Sequence, residues 1–384
     1  MKVLKMLARI MTGLLFFIMT GVAAIAAPVE IPQPPNIKAR SYILIDYHSG
    51  QVLAELNPDQ RIEPASITKM MVAYIVEAEL TAGRIRENDM VRISEKAWRM
   101  EGSRTFVDVN STVPLIDLLK GLIVQSGNDA TVALAEHAAG SEESFVDLMN
   151  KHAKRLGLKD THFSNVTGLP DPQHYSTARD LATLAKAVIR DNPRYYSMYS
   201  IKEYVYNNIT QYNRNRLLLR DPTVDGIKTG HTESAGFCLV ASAQRNGMRL
   251  VSVVLGTESD NARIDYSDQL LNYGYRFHET RRVYSGGKKL SIARVWKGDP
   301  TEMSLGLRDD LYITYPRGQQ GKIDTSLEIS KKLVAPVRKG EVVGAVKIMR
   351  DGKLVSQRPL VTLTAVGEGG LFRRGIDNIT MMFD

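Results

Sequence analysis

The chain has 384 residues, 43% hydrophobic and 24% charged, enough to bury a catalytic core and a smaller second domain. Lys and Arg exceed Asp and Glu by 50 to 42, spread along the chain; this suits anionic surroundings, and the lack of a concentrated basic stripe excludes a nucleic-acid binder. A single cysteine, Cys238, excludes an intrachain disulfide, and its apolar setting in Gly236-Phe237-Cys238-Leu239-Val240 marks an inert buried thiol.

Lys2, Lys5 and Arg9 precede an apolar run from Ile10 to Ile25, which ends in Ala24-Ile25-Ala26-Ala27 before Pro28. This is the pattern of a secretory signal peptide over residues 1–26, cut after Ala26 or Ala27. A retained anchor is the alternative, for which the run is short. Either way the remainder is expected to leave the cytoplasm.

Three prolines between Ile31 and Ile37 predict an extended lead-in. Ser41 to Leu56 predicts a β-hairpin that turns at His48-Ser49-Gly50. Pro64 and Ala65 lead into a helical run from Ser66 to about Leu80. Further helices are predicted at Leu115 to Val124, Ala130 to Ala139, Glu142 to Leu156 and Thr177 to Arg190. Strands return at Val224 to Thr229, Phe237 to Ala243 and Arg249 to Leu255, the last two joined by an Asn246-Gly247 turn. A helix from about Ala262 to Phe277 follows. Strands thus bracket a helical insert, and short turns imply an antiparallel sheet with helices packed on it. The expectation for residues 27–280 is an α+β catalytic domain.

After about Thr280 the texture changes. Ser285-Gly286-Gly287 predicts a linker over 281–290, and short β-type runs predict a small all-β domain over 291–366, with a hairpin turn at Asp351-Gly352. Residues 371–384 form an amphipathic helical pattern. Leu371, Phe372, Ile376, Ile379, Met382 and Phe383 share an arc of roughly 140°, with Arg373, Arg374, Asp377 and Asn378 opposite. Too short to span a bilayer, the segment is expected to lie on a membrane surface as a detached anchor behind Gly367-Glu368-Gly369-Gly370. The alternative is a helix docked on the protein's own core.

Three short motifs carry chemistry: Ser66-Ile67-Thr68-Lys69, Ser126-Gly127-Asn128 and Lys228-Thr229-Gly230. A serine hydroxyl is a poor nucleophile until a base takes its proton. Residues three apart share a helix face, so Lys69 can reach the Ser66 oxygen. Lysine serves as a base only when burial or nearby positive charge lowers its pKa, and Lys228 supplies that charge if the fold brings it close. A helix start also offers unpaired N–H groups to an oxyanion. Each motif alone is weak: Ser285-Gly286-Gly287-Lys288 and Ser259-Asp260-Asn261 repeat two of the patterns. Order and context give the specificity, with the first motif opening an apolar helix, the second between helices and the third on a strand.

On these residues the sequence resembles, over nearly its whole length, the low-molecular-mass penicillin-binding proteins that act as serine D-alanyl-D-alanine carboxypeptidases. The matching blocks are Pro64 to Lys69, Ser126 to Ala130 and Asp225 to Thr232, with the later β domain and the terminal helix. The resemblance implies a penicillin-binding, β-lactamase-like catalytic fold. It implies that Ser66 attacks the terminal D-Ala-D-Ala bond of peptidoglycan stem peptides and that Lys69 is its base. Ser126 would relay a proton to the leaving amine, and Asn128 would bond the substrate's amide. Lys228 and Thr229 would hold the terminal carboxylate, and Gly230 would keep the strand edge clear. The amides of Ser66 and His231 would form the oxyanion hole. Arg249 resembles the family's carboxylate-binding arginine, against the alternative of a solvated strand charge. No metal or organic cofactor is implied, and β-lactams are expected to trap Ser66. The protein is expected at the periplasmic face of the cytoplasmic membrane, peripherally bound.

Rival chemistries are weighed against the same residues. A class A β-lactamase needs a glutamate for deacylation, and no Glu occurs between Lys154 and Lys202. The seven histidines show no zinc-ligand pair of the H-E-x-x-H kind. A D,D-endopeptidase would share every catalytic residue. A β-lactam sensor or envelope scaffold that acylates without turnover is the non-enzymatic alternative.

Overall fold

The computed structural model describes residues 31–382. The expected signal peptide, Phe383 and Asp384 lie outside the described residues.

Ser41–Asp46 (β1) is buried along its whole length, as suits a strand covered on both faces. It pairs antiparallel with Val52–Leu56 (β2), and Asp46 Oδ1 closes the turn by accepting the Ser49 N–H at 2.6 Å. Val224–Thr232 (β3), Gly236–Arg245 (β4) and Met248–Thr257 (β5) complete a five-stranded sheet in the order β2-β1-β5-β4-β3. Every neighbouring pair is antiparallel. Asn246 and Gly247 both adopt positive φ, the backbone hand that matches strand twist in a two-residue turn.

Between β2 and β3 lies the helical insert. Lys69–Thr81 (α1) is buried from Lys69 through Glu77, the mark of a core helix. Leu115–Lys120 (α2) continues as a π-helical turn over Gly121–Gln125 before Asn128–Ala139 (α3). Glu142–Leu156 (α4) buries Phe145, Met149 and Ala153, four residues apart. Ala178–Asp191 (α5) is capped by Thr177, whose hydroxyl accepts the Asp180 N–H. Asp260–Phe277 (α6) covers the sheet, capped by Ser259. The second S-x-N triplet is therefore a helix cap.

Two small pairings went unpredicted: Met90–Arg92 with Thr112–Pro114, and Glu203–Tyr206 with Ile209–Tyr212. The second turns at Asn207-Asn208, both at positive φ, a conformation asparagine tolerates without the usual glycine signal.

Helix α6 runs straight into His278–Tyr284 (β6). The segment 281–290, expected as a linker, is the end of β6, a tight turn, and the start of Lys289–Trp296 (β7). Asp310 Oδ1 holds that turn through the Gly286 N–H at 2.8 Å. The partner of β6 is Leu311–Pro316 (β9), far along the chain, so local sequence carried no trace of the pairing. Glu302–Gly306 (β8), Ile323–Ile329 (β10), Leu333–Val334 (β11), Val342–Arg350 (β12) and Lys353–Thr362 (β13) join β7 in a six-stranded sheet, ordered β10-β12-β13-β8-β7-β11. Its core includes Val295, Leu305, Ile313, Val346 and Leu360.

The two parts meet at the β1–β2 turn. Thr280 Oγ1 donates to Asp46 Oδ2 at 2.7 Å, Ser49 and Thr314 share a hydroxyl bond of 2.6 Å, and His48 stacks on Tyr312. The last helix, Leu371–Thr380 (α7), is not detached. Gly367–Glu368 pairs with Gly298–Asp299, and Asp377 is buried against the β domain.

Candidate active site

Ser66 lies in a single 3-10 turn, Ala65–Thr68, that opens α1. One turn on, Lys69 is fully buried, with its Nζ 2.9 Å from Ser66 Oγ and donating to the Thr167 carbonyl oxygen at 2.7 Å. Burial drives its pKa down to about 7, although the carboxylate of Asp129 works the other way. The amine therefore spends much of its time as a free base at neutral pH.

The S-x-N triplet follows the π-helical turn. Ser126 takes a left-handed backbone with φ of 66°, uncommon for a residue with a side chain. Its hydroxyl oxygen is buried and has no partner within the protein. Asn128 donates from Nδ2 to the Glu101 carbonyl at 2.5 Å and leaves its Oδ1 without a protein partner. Beside it, Asp129 is fully buried and accepts the N–H groups of Thr105, Phe106 and Ala130 at 2.8 to 2.9 Å. It thereby fixes the loop that forms one wall of the site.

Strand β3 brings the third motif. Lys228 is buried, donates to the Thr229 carbonyl at 3.1 Å, and has its pKa pushed well down by burial and then by Lys69, Arg263 and Arg214. Thr229 is also buried. A Cβ at Gly230 would stand 2.8 Å from the Pro64 carbonyl and 3.2 Å from Ile67, so this glycine lets β3 approach the nucleophile turn. This packing role is additional to the expected one of keeping the strand edge clear for a peptide. His231 is exposed and stacks on Phe237 at 3.9 Å.

Arg249 is not part of this cluster. It pairs across the sheet with Gln244, whereas Lys228 pairs with Val240, so it sits four residues further along, about 13 Å at the strand rise. Its guanidinium is occupied by Asp225 at 2.7 Å, Ser242 Oγ at 2.6 Å and Gln244 at 2.7 Å. Among the cations that do line the cleft is Arg263 on α6, 6% exposed, donating to the carbonyls of Gly230 at 3.0 Å and Cys238 at 3.3 Å and paired with Asp260. Its Nε is buried without a partner. Sequence reasoning missed Arg263, yet a signal existed: it stands in register with Ser267, Leu270 and Gly274 on the buried stripe of α6. Asp129 and Thr167 were also missed, and Thr167 acts through its backbone, which no residue pattern reveals.

A cleft of about 770 Å³ opens at this end of the sheet, lined among others by Phe106, Tyr212, Arg214, His231, Phe237 and Arg263. It combines aromatic walls with Arg214, Arg216 and Arg263, and Lys228 feels the charge of Arg263 and Arg214. That field suits a ligand ending in a carboxylate.

Residues 28–259 match the family described as D-alanyl-D-alanine carboxypeptidase, and residues 278–368 match the one described as penicillin-binding protein 5, C-terminal domain. D-alanyl-D-alanine carboxypeptidase DacA of Escherichia coli is 46% identical over 361 residues, 92% of this chain and 90% of the relative. DacC of the same organism is 44% identical over 99% of this chain and 96% of its own length. Among solved structures, penicillin-binding protein 5 of Haemophilus influenzae superposes with a TM-score of 0.81 at 45% identity, covering 88% of this chain and all of that one.

Proposed function

The chain belongs to the D-alanyl-D-alanine carboxypeptidase family, and from that membership we propose how its residues divide the work. It is a serine hydrolase that removes the terminal D-Ala from peptidoglycan stem peptides. Lys69 Nζ takes the proton of Ser66 Oγ as the oxygen attacks the carbonyl carbon of the penultimate D-Ala. The amides of Ser66 and His231 hold the resulting oxyanion. Ser126, whose hydroxyl has no protein partner, passes a proton to the departing amine, and free D-Ala leaves. Water then hydrolyses the Ser66 ester. Asn128 Oδ1, also unpartnered, accepts from the substrate's amide. Lys228, Thr229 and Arg263 bind the terminal carboxylate, Arg263 taking the place expected for Arg249. β-Lactams acylate the same Ser66 oxygen.

The observation that carries this reading is the 2.9 Å contact between Ser66 Oγ and a buried lysine whose pKa is near 7. The test is release of D-alanine from a peptide ending in D-Ala-D-Ala, with Ser66→Ala alongside. Release that vanishes in the variant supports the assignment. Covalent penicillin binding without release would point instead to a sensor, or to an endopeptidase that needs a cross-linked substrate.

The expected catalytic unit, residues 27–280, runs into β6, and the β domain, expected from residue 291, starts with that strand at His278. Export through residues 1–26, residence in the periplasm and attachment to the membrane surface by α7 complete the proposal. No helix among the described residues is long and apolar enough to cross a membrane. The apolar side of α7 faces outward, with Leu371 and Phe372 82% and 85% exposed, and Met382 just past the helix is 82% exposed.

A further inference from the structure

Helix α7 is exposed on its apolar side and held on its polar side. Asp377, in the middle of the polar face, is 2% exposed. Its Oδ2 accepts the Lys297 backbone N–H at 2.5 Å, and its Oδ1 lies 3.3 Å from Arg294 Nη2. The approach to the helix is held as well. Gly369 N–H donates to the Lys297 carbonyl at 2.8 Å, and Glu368 pairs in register with Gly298. Lys297 therefore grips the chain twice, through its carbonyl before the helix and through its N–H within it. Arg294 also lies over the Trp296 ring at 3.6 Å, and Lys332 Nζ is 6.0 Å from the same ring. This is an inversion of the usual amphipathic helix, which buries its apolar stripe in the protein and leaves its charges wet.

We propose that Asp377 is a peg that locks α7 to the β domain, so that the apolar stripe, flanked by Arg373 and Arg374, is held outward as one rigid surface for an anionic bilayer. The proposal rests on the membrane reading of α7 given above. Charge complementarity identifies the occupant. Arg373 and Arg374 flank the stripe on the helix itself, while Arg294 of the β domain faces the Asp377 side of the helix. Of the acidic groups here, Asp377 is engaged by the Lys297 N–H and Arg294, and Glu368 by Arg374, while Asp299 beside Gly367 is exposed. Apolar insertion flanked by cations is the recipe for binding anionic headgroups. A pegged helix has already lost its conformational freedom, so it binds more tightly than the same helix on a loose tether. It also transmits its orientation through β7 to the rest of the protein, which a flexible anchor does not.

The test uses the full exported chain, vesicles of neutral lipid with and without 30% phosphatidylglycerol, and amide hydrogen exchange of α7 without lipid. Wild type is expected to protect the α7 amides in solution and to bind the anionic vesicles with a steep salt dependence. Asp377→Ala should lose the protection and about tenfold in vesicle affinity, with unchanged D-alanine release from a soluble peptide. Arg373→Gln together with Arg374→Gln should keep much of the protection but flatten the salt dependence. Phe372→Glu should abolish vesicle binding while protection persists. Unchanged protection and affinity in Asp377→Ala would overturn the peg and leave the membrane reading standing. Failure of wild type to bind either vesicle, with its α7 amides protected, would overturn the membrane reading and the rigid surface with it.

Discussion

Lys69 Nζ donates to the Thr167 carbonyl at 2.7 Å while standing 2.9 Å from Ser66 Oγ. The proposed base is thus aimed by a loop almost a hundred residues away, rather than by its own helix alone. A carbonyl can only accept, so it fixes one N–H of the amine. The lone pair of the neutral form remains for the serine proton.

This places a titration in the acylation step. With its pKa lowered to about 7, Lys69 is protonated and inactive as a base at pH 5 and largely neutral at pH 9. The rate of Ser66 acylation by penicillin should rise about tenfold per pH unit below 7 and level off above it. Rates measured between pH 5 and 9 check this. Lys69→Ala should lower the plateau by roughly 10²- to 10⁴-fold, the usual share of general-base catalysis.

Gly168 follows Thr167 in the aiming loop. Its φ is +82°, and an added Cβ would meet the Ala65 carbonyl oxygen at 1.8 Å. Gly168→Ala should push the loop off the nucleophile turn and slow acylation by about tenfold or more, since small misplacements of a catalytic group are costly. Gly157→Ala is the control, with φ of +75° and open space around it. It should lower the melting temperature and leave acylation unchanged. Acylation rate and thermal unfolding of both variants separate collision from backbone strain.

The two arginines should part company. Arg263→Ala should reduce kcat/KM for a D-Ala-D-Ala peptide by about 10²-fold, as a charged hydrogen bond to substrate is worth about 1.5–3 kcal/mol. Arg263→Lys should recover little of it, because a single ammonium cannot keep the bonds to Gly230, Cys238 and Asp260 and still offer a donor to substrate. Arg249→Ala should instead leave Asp225 without its cation and lower stability, with KM nearly unchanged. Steady-state kinetics beside urea unfolding distinguish them.

Glu77 lies on α1, fully buried, with Oε1 accepting from Tyr199 OH at 2.9 Å and Oε2 without a partner. Burial raises its pKa to about 8, and the tyrosine bond only partly offsets this. The folded protein holds this proton where the unfolded chain has released it. Stability from Glu77 is therefore complete below about pH 4.5 and falls as pH rises, levelling off above 8. The loss is at most on the order of 5 kcal/mol. Glu77→Gln keeps the shape and cannot ionise, so it should gain stability over wild type at pH 8.5. Urea midpoints at pH 5 and 8.5 for both proteins test the sign.

Cys238 is fully buried, and burial lifts its thiol to about 11. Iodoacetamide should leave native activity intact and label the protein only after denaturation, as mass measurement would show.

Local sequence was enough for the main helices, the antiparallel sheet of the catalytic domain and the three motifs, though not for the two small hairpins or β6. Period-3.6 and strand patterns are local properties, and S-x-x-K places base and nucleophile on one helix face by geometry alone. The buried position of Arg263 was legible too, on the inner stripe of α6, but only once the sheet side of that helix is known. What tertiary structure alone decided depends on partners distant in the chain. Asp225 claims Arg249, the Thr167 carbonyl aims Lys69, β9 turns an apparent linker into strand β6, and Lys297 seats Asp377. In each case the deciding group is a backbone atom or a charge brought near by folding. A residue pattern records which groups a chain carries, but their partners are set by where the packed core leaves each of them.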